Sequence, residues 1–114
     1  MTLPSRGEVW LIDLGDPIGH EQGYERPGLI VSDDILNHGS SGVVIVLPIT
    51  SKLRNIPVHV NIKRGEAGLS TDSCVQCDHP RALSKLRFIK PLGNIRRTTM
   101  RDVEDRLRVV FSLP

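Results

Sequence analysis

Two stretches of the chain concentrate side chains that can move protons or grip phosphate. The first, Gly19-His20-Glu21-Gln22-Gly23-Tyr24-Glu25-Arg26-Pro27, sets an imidazole, two carboxylates, an amide and a guanidinium between apolar runs. Imidazole and carboxylate exchange protons near neutral pH, and a guanidinium fork matches phosphate oxygens. A long hairpin loop is also polar simply because it is wet, so composition leaves both readings open. Arg26 is better defined, because Pro27 biases it towards extended backbone at the mouth of a strand, where a side chain can be held in one direction. The second stretch, Pro48-Ile49-Thr50-Ser51-Lys52, ends the most apolar run of the chain. Pro48 cannot donate to a ladder and so marks an edge or a bulge, beyond which the hydroxyls are released from pairing. Thr50 then faces a groove or solvent, or merely ends a strand as β-branched residues do.

Cys74-Val75-Gln76-Cys77 is a single CxxC, and His79 follows closely. A structural zinc site needs four ligands, and no second CxxC or paired His occurs at finger spacing. Redox CxxC pairs sit at a helix start, whereas this segment reads as a strand, so two buried reduced cysteines are expected. Asp33-Asp34 reads as a turn or helix cap, and His38 and His59 as exposed polar positions.

The elements that must position these groups follow from composition and periodicity. With 114 residues, 39% hydrophobic and 25% charged, the chain has the size and mixture of one globular domain over 1–114. The longest apolar run, 43–49, is too short to span a bilayer, and Met1-Thr2-Leu3-Pro4-Ser5-Arg6 offers no signal-peptide core, so a cytoplasmic protein without membrane contact is expected. Residues 1–51 hold two basic and seven acidic side chains, net −5, and residues 52–114 thirteen basic and six acidic, net +7, which together give +2. Eleven of the fifteen cations are Arg, which fits a phosphate-bearing partner or a solvated surface laced with ion pairs.

Short apolar runs bounded by Gly, Pro, Asn or Asp predict strands at 8–14, 27–32, 43–49, 57–63, 73–78 and 87–92, with a turn or short helix at 82–85. In 57–63 the residues alternate cleanly, Val58, Val60 and Ile62 on one face and His59, Asn61 and Lys63 on the other. From Thr99 the period changes: Met100, Val103, Leu107, Val110 and Phe111 form one stripe of a C-terminal amphipathic helix, capped by Thr98 or Thr99. The expected fold is mainly β, a small, strongly bent antiparallel sheet or barrel of five to seven strands closed by a terminal helix.

The sequence blocks also resemble a known family. Arg6-Gly7-Glu8-Val9-Trp10, Gly19-His20-Glu21-Gln22-Gly23, Arg26-Pro27, Pro48-Ile49-Thr50-Ser51, and Gly68-Leu69 with Asp72-Ser73 are similar, in order and spacing from Arg6 to Phe111, to the MazF/PemK (Kid) toxin endoribonucleases. The resemblance implies a small SH3-like barrel of the CcdB/Kid type with a C-terminal helix, a homodimer, a cognate antitoxin that blocks it, and metal-independent, sequence-selective cleavage of single-stranded mRNA with no cofactor. By position it implies catalytic roles for Arg26, Thr50 and Glu21, and places His20 on the imidazole of the PemK branch. Cys77-Asp78-His79-Pro80-Arg81 resembles that branch's Cys-Asp-Gln-Pro-Arg, which puts Asp78 on its proposed base. Two positions depart: Gln76 stands where the branch has an Arg proposed as general acid, and His79 replaces a Gln. The acid role then falls to Arg26 or His20, and the base to Asp78 or Glu21.

This inventory suits RNA, whose 2'-hydroxyl attacks its own phosphate. The enzyme supplies in-line positioning, a proton acceptor, a proton donor and charge stabilisation, with no metal required. Arg26 would stabilise the pentacovalent phosphate, Thr50 would donate to a non-bridging oxygen, and the ends would be a 2',3'-cyclic phosphate and a 5'-hydroxyl. Splayed bases would be bound by Gln22, Ser51, Lys52, Arg54 and Asn55, with His20, His79 and Arg81 beside them. The rival expectation is a non-catalytic binder on the same barrel, a CcdB-like poison or an RNA-binding regulator.

Overall fold

Val43-Val44-Ile45-Val46-Leu47 is the most apolar segment because its strand is covered on both faces and lies in the middle of the sheet. The computed structural model describes residues 3–21 and 23–114. In chain order the elements are β1 (Glu8–Asp13), β2 (Glu25–Ile30), α1 (Asp34–Asn37), β3 (Val43–Thr50), β4 (His59–Ile62), β5 (Ser73–Gln76), β6 (Arg81–Ser84), β7 (Phe88–Asn94) and α2 (Arg97–Val110). Every pairing is antiparallel, and the sheet runs β4-β5-β3-β2-β1-β7 with β6 also on β3. Among the described residues no pairing joins β4 to β7, so the barrel is not closed by hydrogen bonds. Instead α2 packs on β4, and a 3-10 turn at Glu66–Gly68 packs on β7.

Alternation along each strand sends neighbours to opposite faces. Val9, Leu29, Leu47, Ile49, Val60, Ile62 and Val75 form one core with Val103 of α2. Trp10, Ile12, Ile30, Val44, Val46 and Leu83 form the other, where Trp10 meets Phe88 edge to face with centroids 5.9 Å apart. Each fully buried aliphatic side chain contributes roughly 1.5–3 kcal/mol, and this two-sided core is the rigid platform for the loops.

Four local expectations are corrected. The segment 82–85 contains a strand: β6 has only Leu83 buried, so it lacks a strand's apolar signature and exists through its ladder to residues 43–46 of β3. Pro48 is neither at an edge nor in a bulge. It pairs opposite Gly28 and, on its other side, falls in the gap where β3 passes from β6 to β5. Thr50 is consequently still paired, opposite Cys74. Finally, neither Thr98 nor Thr99 caps α2, which begins after Arg96 with no cap from its own first residues. The acceptor comes from the 3-10 turn: Glu66 Oε2 accepts from Arg96 N at 3.1 Å and from Thr99 Oγ1 at 2.7 Å. Met100, Val103 and Leu107 pack on the core as the stripe requires, but Phe111 is exposed past the helix end. Asp33 does cap α1, its side chain accepting from Ile35 N at 2.9 Å. No helix among the described residues is long and apolar enough to cross a membrane.

Candidate active site

The connection between β1 and β2 is a long hairpin loop closed at its base by Leu14 N to Tyr24 O, 2.8 Å, and Tyr24 N to Gly15 O, 2.7 Å. Gly23 has to be glycine: a Cβ there would stand 2.4 Å from Pro17 Cδ and 2.8 Å from Gly15 O. The tight fold-back presents the Gly23 carbonyl to Arg26 Nε, which donates to it at 3.3 Å. Arg26 is thereby held at one nitrogen, and among the described residues its terminal amino groups have no partner.

A cleft of about 300 Å³ opens beside this loop. One wall is the loop itself, with His20, Glu21 and Tyr24, and Arg26 enters from β2. The other wall comes from the strand ends, with Lys52 and Arg54 after β3, His59 on β4, and Gln76 and His79 at the end of β5. Guanidinium, ammonium and imidazole groups thus outnumber carboxylates around one hollow, the electrostatic signature of an anion site. The ring of Tyr24, 63% exposed, offers a flat apolar face at its rim.

Not every residue expected at the site reaches the surface of this cleft. Thr50 is buried, its Oγ1 accepting from Lys52 N at 3.2 Å, so it stands behind the Lys52 backbone instead of lining the hollow. Asp78 borders the strand-side wall, its Oδ1 2.7 Å from His59 Nε2 and 3.6 Å from His79 Nε2. Ser51 and Asn55 lie exposed on the segment between β3 and β4 without lining the cleft. Arg81 supports the loop from beneath, donating from Nη2 to Leu14 O at 3.2 Å. Gln22 lies outside the described residues.

His59 is the residue that pattern reading misplaced. Expected exposed, its side chain is only 4% accessible, because the β4–β5 register sets it opposite Gln76 and it packs against Cys74, whose Sγ is 3.7 Å from Nδ1. Gln76, also buried, has an Oε1 with no hydrogen-bond partner. Tyr24 was likewise not singled out, although an aromatic inside so polar a loop was the available signal. His38 is exposed as expected, and Cys74 and Cys77 are free and buried. Burial pushes the Cys77 thiol up to about 12, and burial together with the Asp78 charge raises Cys74. Neither is a poised nucleophile.

Fold and cleft together define the class: a small SH3-like β protein with a cation-rich groove between a long hairpin loop and the ends of the central strands. Comparison with known proteins agrees in detail. Residues 5–111 match the family described as PemK-like, MazF-like toxin of type II toxin-antitoxin system. The chain is 28% identical over 113 residues to endoribonuclease MazF9 of Mycobacterium tuberculosis, covering 95% of this chain and 96% of that one. Among solved structures, it is similar to MazF from Deinococcus radiodurans with a TM-score of 0.86 at 25% identity, covering 99% of this chain and 100% of that one. A mycobacterial endoribonuclease in complex with its cognate antitoxin gives 0.81 at 28% identity, with 97% of each chain covered. The protein belongs to the PemK-like, MazF-like toxins of type II toxin-antitoxin systems.

Proposed function

We propose that this toxin is an endoribonuclease that cuts single-stranded mRNA in the cleft, without a metal, acting in the cytoplasm as a homodimer until a cognate antitoxin protein covers the site. The observation that carries the reading is the convergence of Arg26, Lys52 and Arg54 with His20, Glu21, His59 and His79 around one hollow. Two walls bearing proton-transfer groups, with a guanidinium between them, match what in-line 2'-hydroxyl attack requires.

In this mechanism Arg26, anchored through Nε, turns its free fork towards the phosphoryl oxygens as negative charge accumulates there. Asp78, oriented by His59 at 2.7 Å, accepts the 2'-proton from the strand side. His20, across the cleft, returns a proton to the departing 5'-oxygen, and Glu21 beside it balances the imidazolium. This assignment dispenses with the arginine that Gln76 replaces. Thr50, buried behind the Lys52 backbone, accepts from Lys52 N and so positions Lys52 instead of touching phosphate itself. Tyr24 stacks a splayed base, and Gln22, Ser51, Lys52, Arg54, Asn55, His79 and Arg81 supply polar contacts along the strand.

The test is incubation of a long RNA with the pure protein in EDTA, followed by primer-extension mapping and analysis of the ends. Defined internal cuts carrying 2',3'-cyclic phosphate and 5'-hydroxyl groups are expected. Tight binding that leaves the RNA intact would establish the non-catalytic alternative instead.

A further inference from the structure

The strand-side wall holds a cluster larger than a single proton acceptor needs. One ligand-type atom from each of His59, Asp78 and His79 lies within 4.8 Å of the other two. We infer that these three residues form a binding site for a divalent transition-metal ion of the zinc class, and that its occupation shuts the cleft down. The binding part of the proposal is independent of the nuclease reading, and the inhibition part rests on it.

Donor chemistry and spacing point the same way. Two imidazoles and one carboxylate are the donor set of three-ligand zinc sites that keep a fourth position open. Imidazole donors also select against magnesium and calcium, which prefer oxygen. Bonds of about 2.0–2.1 Å in a tetrahedron put ligand atoms about 3.3 Å apart. The separations from Asp78 Oδ1, 2.7 Å to His59 and 3.6 Å to His79, bracket that value. Gathering the ligands requires side-chain shifts on the order of 1 Å, and the fourth position faces the cleft that both imidazoles line.

The surroundings of His59 also prepare it to ligate. Cys74 Sγ lies 3.8 Å from Lys52 O and 3.7 Å from His59 Nδ1. With the thiol donating to the carbonyl, the sulfur can accept from Nδ1–H once a metal ion has displaced the Nε2 proton that is donated to Asp78 in the metal-free protein. The 2.7 Å contact between Nε2 and the Asp78 carboxylate already directs both groups at one point, so that a metal ion binding there takes the place of the Nε2 proton. Against the ion stand the cleft's own cations, Arg26, Lys52 and Arg54, which hold the affinity below that of all-thiolate zinc sites. Once bound, the metal occupies the Asp78 lone pairs that would accept the 2'-proton, so the toxin is metal-inhibited and not metal-dependent.

Cobalt(II), whose visible absorption reports four-coordinate sites, tests the binding directly on chelator-treated protein with no RNA present. One cobalt per chain, displaced by zinc, is expected. His79→Ala, on a part-exposed turn that tolerates truncation, should weaken binding by about tenfold or more. The absence of a spectrum at millimolar cobalt, or undiminished binding by His79→Ala, overturns the site. In the same buffers zinc should slow RNA cleavage by wild-type protein by about tenfold or more, and EDTA should restore it. Undiminished cutting with the cobalt or zinc site demonstrably full overturns the inhibition. If the protein never cuts RNA, even in EDTA, the nuclease reading fails while the spectrum still decides the metal site.

Discussion

Replacing Arg26 by Ala separates catalysis from folding, because the side chain has little structural work to do. It is half-buried, and among the described residues its only side-chain hydrogen bond runs from Nε to Gly23 O at 3.3 Å, a long contact across a loop. Losing such a bond costs about 1 kcal/mol or less, which lowers Tm by roughly 4 °C in a domain of this size. The transition state loses far more, since a preorganised donor aimed at developing phosphoryl charge is worth about 2.7–4 kcal/mol, or a factor of about 10² to 10³ in rate. Arg26→Lys, which restores the charge but not the fork, should recover only part of that loss. The assay is single-turnover cleavage of a fluorogenic RNA in EDTA, run beside a thermal melt. Cleavage by Arg26→Ala within about threefold of wild type would refute the placement of the scissile phosphate against this guanidinium.

Three other outcomes follow from the structure. Glu66→Ala removes the acceptor that serves both Arg96 N and Thr99 Oγ1, so stability should fall by about 1–2 kcal/mol and Tm by about 4–10 °C; an unchanged melt would show that α2 does not need this cap. With Cys77 pushed up to about 12, its alkylation by iodoacetamide at pH 8 should be on the order of 10³-fold slower in native than in denatured protein, and Cys74, also raised, should be slowed as well; comparable rates would contradict their burial. Hydrogen bonds from Arg6 N and the Asn37 amide hold Asp34 below its ordinary 3.8. A lowered folded value stabilises above 3.8 and loses that contribution as pH falls through the folded value, so the stability gap between wild type and Asp34→Asn should shrink in acid. A gap constant from neutral pH down to about 2.5 would exclude this linkage.

How much of the molecule can be read in one dimension depends on whether a signal is local. Val43 to Thr50, the alternation through Val60 and Ile62, and the helical stripe of Met100, Val103 and Leu107 each announce their element, because backbone periodicity and burial act within a few residues. The polar density of the β1–β2 loop and the resemblance of its blocks to a toxin family likewise pick out His20, Glu21 and Arg26 before any coordinates are seen. Other features have no local trace. β6 buries one side chain and is held by a ladder to β3, about 40 residues earlier in the chain. The cap of α2 comes from Glu66, 30 residues before Arg96.

The types of the strongly patterned elements and the chemical inventory were therefore properties of the sequence alone, since propensity, patterning and side-chain identity are carried by neighbours along the chain. The meeting of His59 with Asp78 and His79, the withdrawal of Thr50 behind Lys52, and the assembly of loop and strand ends into one cleft were decided only in three dimensions. Strand register and loop packing set those distances, and both depend on contacts between segments that are far apart in the chain.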